Sequence, residues 1–278
     1  MRGLLVGRSV GGHWTDSEIE FLKQNYAVGS RASLVTGLNG RLWHSVLVKA
    51  SDLGLRRLYR TSRASVDDLY FSIPVVENSY WAGYIAADGC VISNRPVVTI
   101  NIKRSDSEHL EKFARCVHYA GKIHYGFARP QWGGLWPMAD IQVTSRQWVS
   151  DLLNNFRITP RKSKTLCPPS LVGGPRLAFI CGYIDGDGSI GYRRRNGDLF
   201  LAVRGTWEVL SWLKHVFDSL VPAYRIHGRD YGCAGVTVSG GICQYMVNGG
   251  RAERILHELS CLPVPRLERK WRRVGTCA

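Results

Sequence analysis

Residues 79–91 read SYWAGYIAADGCV, and residues 178–190 read AFICGYIDGDGSI. Both runs are apolar, both share Gly-Tyr-Ile, and both stop at an Asp-Gly pair, Asp88-Gly89 and Asp187-Gly188. The patterns predict a helix over 78–88 and a second over 176–187, the latter following Gly173-Gly174-Pro175. Ala82, Gly83, Ala86 and Ala87 in the first, with Cys181, Gly182 and Gly186 in the second, form a small-residue seam along which two helix backbones can approach closely. The glycine after each aspartate predicts a left-handed helix cap.

The aspartates themselves need explaining. A carboxylate at the C-terminal end of a helix opposes the helix dipole, and bringing two such ends together adds like-charge repulsion. A shared cation removes the conflict. Few oxygen ligands, with room for water and phosphate, describe a magnesium site suited to phosphoryl chemistry. One Asp-Gly pair reads as a turn into the next strand; two, each in the same small-residue helix, point to a common site.

Both segments resemble the LAGLIDADG motif of homing endonucleases, and two copies in one chain resemble that family's monomeric, pseudo-symmetric form. The resemblance implies an α+β fold of two αββαββα halves with antiparallel saddle sheets, motif helices at the central interface, and a small three-helix domain in front. The expected boundaries are 12–55 for a helix-turn-helix or Myb-like module, 56–76 for a basic linker, and 77–168 and 169–274 for the repeats. In the family the eighth motif position binds the catalytic divalent metals. The resemblance thus makes Asp88 and Asp187 the catalytic acids and Mg²⁺ the cofactor, with Mn²⁺ as a substitute and the backbones of Gly89 and Gly188 as further candidate ligands. The sixth position is Asp185 in the second copy and Ala86 in the first, a position whose role in the family is more structural than catalytic. Each half also closes on a basic cluster, TPRKSKT at 159–165 and PRLERKWRR at 265–273. A family basic residue at about this place completes the pocket, which carries over to Lys162 and Lys270, where a cation could hold the scissile phosphate.

Strand patterns follow each motif. In VVTINIK, Val98, Ile100 and Ile102 face a core while Thr99, Asn101 and Lys103 face outward. An Asn196-Gly197 turn joins SIGYRRR to DLFLAVR and exposes Arg193, Arg194, Arg195 and Arg204 near a hairpin tip. Later strands add His124, Arg129, Gln142 and Thr144, then Arg225, His227, Arg229 and Thr237. Such outward faces suit base edges in the major groove. Trp148, Trp207 and Trp212 read as core.

Near the start, Thr15 and Glu18 have capping-box spacing at the mouth of a helix with Ile19, Phe21, Leu22 and Tyr26 on one face. Two more short helices follow, over 30–38 and within RLWHSVLVKASDLGL. The third carries Arg41, His44 and Lys49 off an apolar stripe that includes Leu42 and Leu47, and Arg56, Arg57 and Arg60 trail behind it. A recognition helix with a basic arm suits DNA. The W-T-x-x-E-I-x-x-L and K-A-S-x-L-G-L phrasing also resembles amino-terminal modules of phage-type homing endonucleases.

Composition agrees. A formal charge of +15 points to a polyanionic partner, nucleic acid first. The eight cysteines show no C-x-x-C pair and read as reduced, mostly buried thiols rather than a disulfide framework or a zinc site. No apolar run reaches the length of a membrane span, and the reading is a soluble, intracellular monomer. The expected partner is double-stranded DNA. Two rival readings share the fold: a non-cleaving DNA-binding regulator, and a maturase whose partner is intron RNA.

Overall fold

The structure, a computed structural model, describes residues 13–27, 31–55, 66–92, 94–128, 133–222, 224–226, 229–231, 235–239 and 242–274. Arg56, Arg57, Arg60, Arg129 and His227, expected to touch DNA, lie outside the described residues. The chain divides into two compact units, Met1–Arg63 and Ala64–Ala278.

The smaller unit has helices α1 (Asp16–Asn25), α2 (Arg31–Gly37) and α3 (Trp43–Asp52). The Thr15 hydroxyl accepts from the Glu18 N–H while the Glu18 carboxylate accepts from the Thr15 N–H, so the expected capping box forms. Asn39 and Gly40, both at positive φ, turn the chain between α2 and α3. Leu22, Tyr26, Leu34, Leu38, Val46 and Ala50 fill the core. Leu42 and Leu47, expected on the apolar stripe, are instead 62% and 39% exposed.

Arg41 corrects the sequence reading. It precedes α3, is 6% exposed, and is not a DNA-facing residue. Its guanidinium forks onto Glu18 at 2.7 and 2.8 Å, donates to the His13 carbonyl, and lies 4.3 Å from the Trp14 ring centroid. Planar bidentate pairing on a carboxylate is what an arginine does best, and here it ties α1 to the start of α3. His44 is exposed and Lys49 half-buried on α3.

In the larger unit, the first half runs α4 (Val76–Asp88), β1 (Gly89–Val91), β2 (Val97–Lys103), α5 (Ser107–Cys116), β3 (His124–Ala128), β4 (Trp136–Thr144) and α6 (Arg146–Phe156). The second runs α7 (Gly173–Asp187), β5 (Gly188–Tyr192), β6 (Leu199–Gly205), α8 (Trp207–Leu220), β7 (Tyr224–Ile226), β8 (Arg229–Tyr231), β9 (Gly235–Ser239), β10 (Ile242–Asn248) and α9 (Gly250–Ser260), and α10 (Glu268–Trp271) follows. The sheets have the orders β1-β2-β4-β3 and β5-β6-β10-β9, every pair antiparallel. Two αββαββα halves are therefore present. The addition is β7-β8, a separate two-stranded ribbon. Arg225 and Arg229 lie on that ribbon rather than on the saddle sheet where the sequence reading put them, because among the described residues their strands pair with each other alone.

Helices α4 and α7 cross at the centre, and glycine makes the crossing. A Cβ on Gly83 would fall 2.0 Å from the Phe179 carbonyl oxygen, and one on Gly182 would fall 1.8 Å from that of Tyr80. The obstruction is backbone in both cases, so no side-chain rotation relieves it. Around the crossing lies one continuous core that includes Trp81, Trp148, Phe113, Phe179 and Phe217. The turn segment 66–75, expected to be linker, packs on that core: Phe71 is fully buried, and the Trp148 indole donates to the Asp67 carbonyl. Trp207, expected in the core, is 52% exposed at the first position of α8. Cys90, Cys116, Cys167, Cys181 and Cys243 are free, of which Cys181 alone is buried, and Cys261 is disulfide-bonded. No helix among the described residues is long and apolar enough to cross a membrane.

Candidate active site at the crossed helix ends

Both motif helices begin earlier than their sequences suggest. Asn78, where the sequence reading starts the helix, sits inside α4, where its Oδ1 accepts from the Val75 N–H and its amide donates to the Tyr70 and Ile73 carbonyls. Pro175 occupies the first turn of α7, where its missing N–H leaves nothing unpaired.

The C-terminal ends coincide with the prediction, as Asp88 and Asp187 are the last residues of α4 and α7. The glycines that follow correct it. Gly89 has φ −79° and Gly188 φ −92°, extended backbone rather than a left-handed cap. Their role is close approach: a Cβ would meet the Ile85 carbonyl oxygen at 2.8 Å or the Ile184 carbonyl oxygen at 2.5 Å. Each chain passes straight from helix into strand.

The two helix ends are neighbours. A Cβ on Gly186 would lie 2.2 Å from that of Ala87 and 3.2 Å from the Asp88 nitrogen. Solvent reaches both aspartates, yet enough protein surrounds each carboxylate to make desolvation the main influence on its titration. Burial, then the Asp88 charge, pushes the Asp187 pKa up to about 6, against the pull of Lys162, Lys270 and Arg204. Burial also raises Asp88, while Lys270, Lys162 and Arg269 oppose the rise. Two acids and their cations thus form one electrostatic cluster.

Lys162 and Lys270 are buried, at 7% and 8% exposure. Burial lowers the pKa of each, and nearby carboxylates restrain the fall, Asp187 foremost for Lys162 and Asp185 foremost for Lys270. Their wiring differs. Lys162 donates to the Ala87 carbonyl at 3.0 Å. Lys270 lies within hydrogen-bond distance of the carbonyls of Ile184, Asp185, Gly186 and Gly188, at 2.6 to 3.0 Å. A lysine ammonium has three N–H donors, so these carbonyls occupy all of them. Lys270 is a cap on the carbonyl end of α7, favourable against the helix dipole, and it engages the Gly188 carbonyl.

Asp185, the sixth motif position, is 1% exposed. It accepts from the Tyr80 hydroxyl at 2.5 Å, the Leu267 N–H at 2.9 Å and the Trp271 indole at 2.7 Å. Tyr80 also pairs with His109 Nε2 at 3.0 Å. Because the single Tyr80 proton goes to Asp185, Nε2 must carry the hydrogen, which leaves Nδ1 as the buried, unpartnered acceptor observed among the described residues. Sequence reading missed Tyr80 and His109; aligning the copies residue by residue would have found both, since Phe179 and Val209 stand at their places in the second half.

The sheets extend outward from the acids. The register pairs Thr99 with Gln142, and aligns Asn101, Asp140 and His124 in one row. Asn101, Lys103, His124 and Gln142 are exposed and Thr99 half-buried. Asp140 is an unanticipated carboxylate on this face. The matching row of the second sheet is Arg204, Gln244 and Thr237. Arg193, Arg194 and Arg195 are exposed at the β5-β6 hairpin, whose turn uses Gly197 at φ +73°. A cleft of about 370 Å³ brings Asp187, Lys162 and Arg204 together, and a cavity of about 480 Å³ runs from Asp187 over Ser189, Ala202, Arg204, Gln244 and Met246.

Among the described residues no group of three or more His, Cys, Asp or Glu could hold a metal ion. The donor set is two carboxylates, which fits a hard ion that keeps several waters and takes one or two carboxylates beside substrate phosphates.

No family model and no curated protein matches the chain. Among solved structures it is similar to the homing endonuclease I-WcaI bound to its DNA recognition sequence (8% identity, TM-score 0.49, covering 73% of this chain and 87% of that one). It is also similar to mesophilic variants of the homing endonuclease I-DmoI (12%, 0.44, 72% and 94%), and to the N-terminal LAGLIDADG domain of DUF199/WhiA (13%, 0.41, 80% and 98%). Two αββαββα halves, joined through crossed glycine-bearing helices that each end in Asp-Gly, make the fold that the sequence resemblance implied.

Proposed function

We propose that the chain is a site-specific DNA endonuclease making a metal-dependent, staggered double-strand break in a long asymmetric target. The supporting observation is the delivery of Asp88 and Asp187 to adjacent helix ends within one cluster of cations. Asp88 and Asp187 would hold Mg²⁺, or Mn²⁺ in its place, which when bound stabilises charge on the phosphoryl oxygens and makes water a better nucleophile.

The chain's own groups do the rest. Asp187, raised to about 6, is mostly anionic at neutral pH. Lys162 and Arg204 place positive charge beside Asp187, where phosphate charge builds as the bond breaks. Lys270 fixes the end of α7, and so the position of Asp187, from behind. Thr99, Asn101, Lys103, His124, Gln142 and Arg204 offer donors and acceptors to base edges from the two sheets, while Arg193, Arg194 and Arg195 suit phosphates. One chain supplies both acids, so it acts as a monomer. His44 and Lys49 on α3, with the arginines at 56, 57 and 60, serve as a DNA-holding module.

The test is incubation of the full-length chain and Mg²⁺ with a supercoiled plasmid library of randomised inserts. Cut products are sequenced for wild type, Asp88→Asn and Asp187→Asn. Each acid is worth several kcal/mol of transition-state stabilisation, so each variant should lose on the order of a thousandfold in rate. Cutting that survives both substitutions refutes the site. Wild-type binding without cutting favours the regulator.

A further inference from the structure

We infer that the two DNA strands are cut in a fixed order, the strand held by Asp187, Lys162 and Arg204 before the strand held beside Asp88. This rests on the endonuclease reading and deepens it.

The two acids are equivalent in the backbone but not in the cations available to them. Beside Asp187, Lys162 gives one hydrogen bond among the described residues, to the Ala87 carbonyl, which leaves two N–H donors there. Arg204 lines the same cleft, is exposed, and has no ion pair among the described residues. Lys270, whose charge acts on Asp88 as well as Asp187, has its ammonium taken up by four carbonyls at the end of α7. Two further cations act on Asp88: Lys162, which it shares with Asp187, and Arg269, whose guanidinium Asp106 holds at 2.7 Å. The residue matching Arg204 in the first half is Asn101, which is neutral. Asp187 therefore shares one cleft with Lys162 and the uncommitted Arg204, whereas Asp88 has Lys162 in common with it and otherwise only cations already engaged.

Hydrolysis of each strand adds the oxygen of one water to phosphorus and breaks one phosphorus–oxygen ester bond. One of that water's protons passes to the departing sugar oxygen, so atoms and charge balance. Negative charge grows on the phosphoryl oxygens during the step, and donors free to meet it lower the barrier. Losing one such donor typically costs on the order of a hundredfold, so the first cut should outrun the second by roughly ten to a hundredfold.

A target recovered from the plasmid library is labelled on either strand and its cleavage followed with time. A nicked intermediate should accumulate, cut in the same strand each time. Lys162→Met and Arg204→Gln should slow that strand selectively and bring the rates together. Arg204 is exposed on a strand, so its variant guards against misfolding of the first. A second readout needs no metal: in EDTA, an uncharged methylphosphonate replaces the scissile phosphate of one strand, and binding is followed by fluorescence anisotropy. Replacement in the first-cut strand should weaken binding roughly tenfold more than in the other. Equal rates and equal binding losses, or variants that slow the second strand instead, overturn the order while the nuclease reading stands. No cutting of any insert removes both.

Discussion

The two halves of the larger unit share a backbone and differ in polar wiring. Superposing the motifs residue for residue sets Tyr80 against Phe179, Ala86 against Asp185, and His109 at the third position of α5 against Val209 at the third of α8. The buried trio His109, Tyr80 and Asp185 thus has an apolar mate, Val209, Phe179 and Ala86. It occurs once, across the pseudo-dyad, and continues to Leu267 and Trp271, which seat α10 and its Lys270. The lesson is that crossing two helices needs only glycine, and the fold repeats that solution. Closing the helix ends needs polar partners, and these were built on one side. Backbone symmetry therefore does not imply two equal chemical sites.

The largest effects should fall where the halves agree. Gly83→Ala and Gly182→Ala each place a methyl into the opposite helix's backbone, at 2.0 and 1.8 Å. The helices must part, at a cost of roughly 3 kcal/mol or more. Thermal or urea denaturation of the full chain should show the larger unit losing stability by similar amounts in both variants. Gly126→Ala, with nothing within 4 Å of its Cβ, is the control. If only one of the two central variants is destabilised, the crossing is not symmetric.

These central features were readable in the sequence, because local rules and tertiary demands coincide there. Small residues on an apolar helix, Asp-Gly at its end, alternation in VVTINIK and an Asn-Gly turn are each short-range signals with one dominant cause. What escaped depended on partners far along the chain. Arg41 resembles a surface arginine until Glu18 and Trp14 enclose it. Asn78 looks like the start of its helix until the turn at 70–73 supplies its acceptors. Gly89 and Gly188 invite a left-handed reading, although contact with the preceding turn, not φ, dictates them. Lys162 and Lys270 were placed near the acids by position, but their unequal carbonyl contacts have no sequence signature. The β7-β8 ribbon interrupts the repeat where no internal copy could warn of it.

The next effect should appear where the halves differ. Asp185→Ala strips the acceptor from three buried donors, Tyr80, Leu267 and Trp271. Each unsatisfied group costs about 1–3 kcal/mol, although local shifts recover part of it, so a net loss of about 2–4 kcal/mol is expected by urea denaturation. Ala86→Asp should not mirror it by gaining stability. Position 86 is 3% exposed, and the second half presents Phe179 to it where a counterpart of Tyr80 would be needed, so a new carboxylate is buried without a matching hydroxyl. A stabilised Ala86→Asp, or a neutral Asp185→Ala, would break the claim that the polar closure is one-sided.

The smallest effect reads the same asymmetry through pH. Burial, with Lys112 and Lys270 nearby, pushes the His109 pKa down from 6.5 to about 3. Between those values the unfolded chain binds a proton that the folded chain refuses, so stability is full above pH 6.5 and declines as pH falls toward 3. At pH 5 the loss is about 2 kcal/mol. Asp187, raised to about 6, has the opposite sign: below that pH the folded state takes up the proton first, which offsets part of the decline. A single pH profile therefore mixes the two. His109→Val separates them, because valine is what the second half carries at this position and Asp187 is common to both proteins. Tyr80 keeps its bond to Asp185 in the variant and loses only the donation from the imidazole. The stability difference between wild type and His109→Val, from urea titrations at pH 7 and pH 5, should move by about 2 kcal/mol in favour of the variant at the lower pH. A difference that stays constant would mean that His109 is protonated alike in both states, and that the Asp185-Tyr80-His109 chain does not hold it neutral.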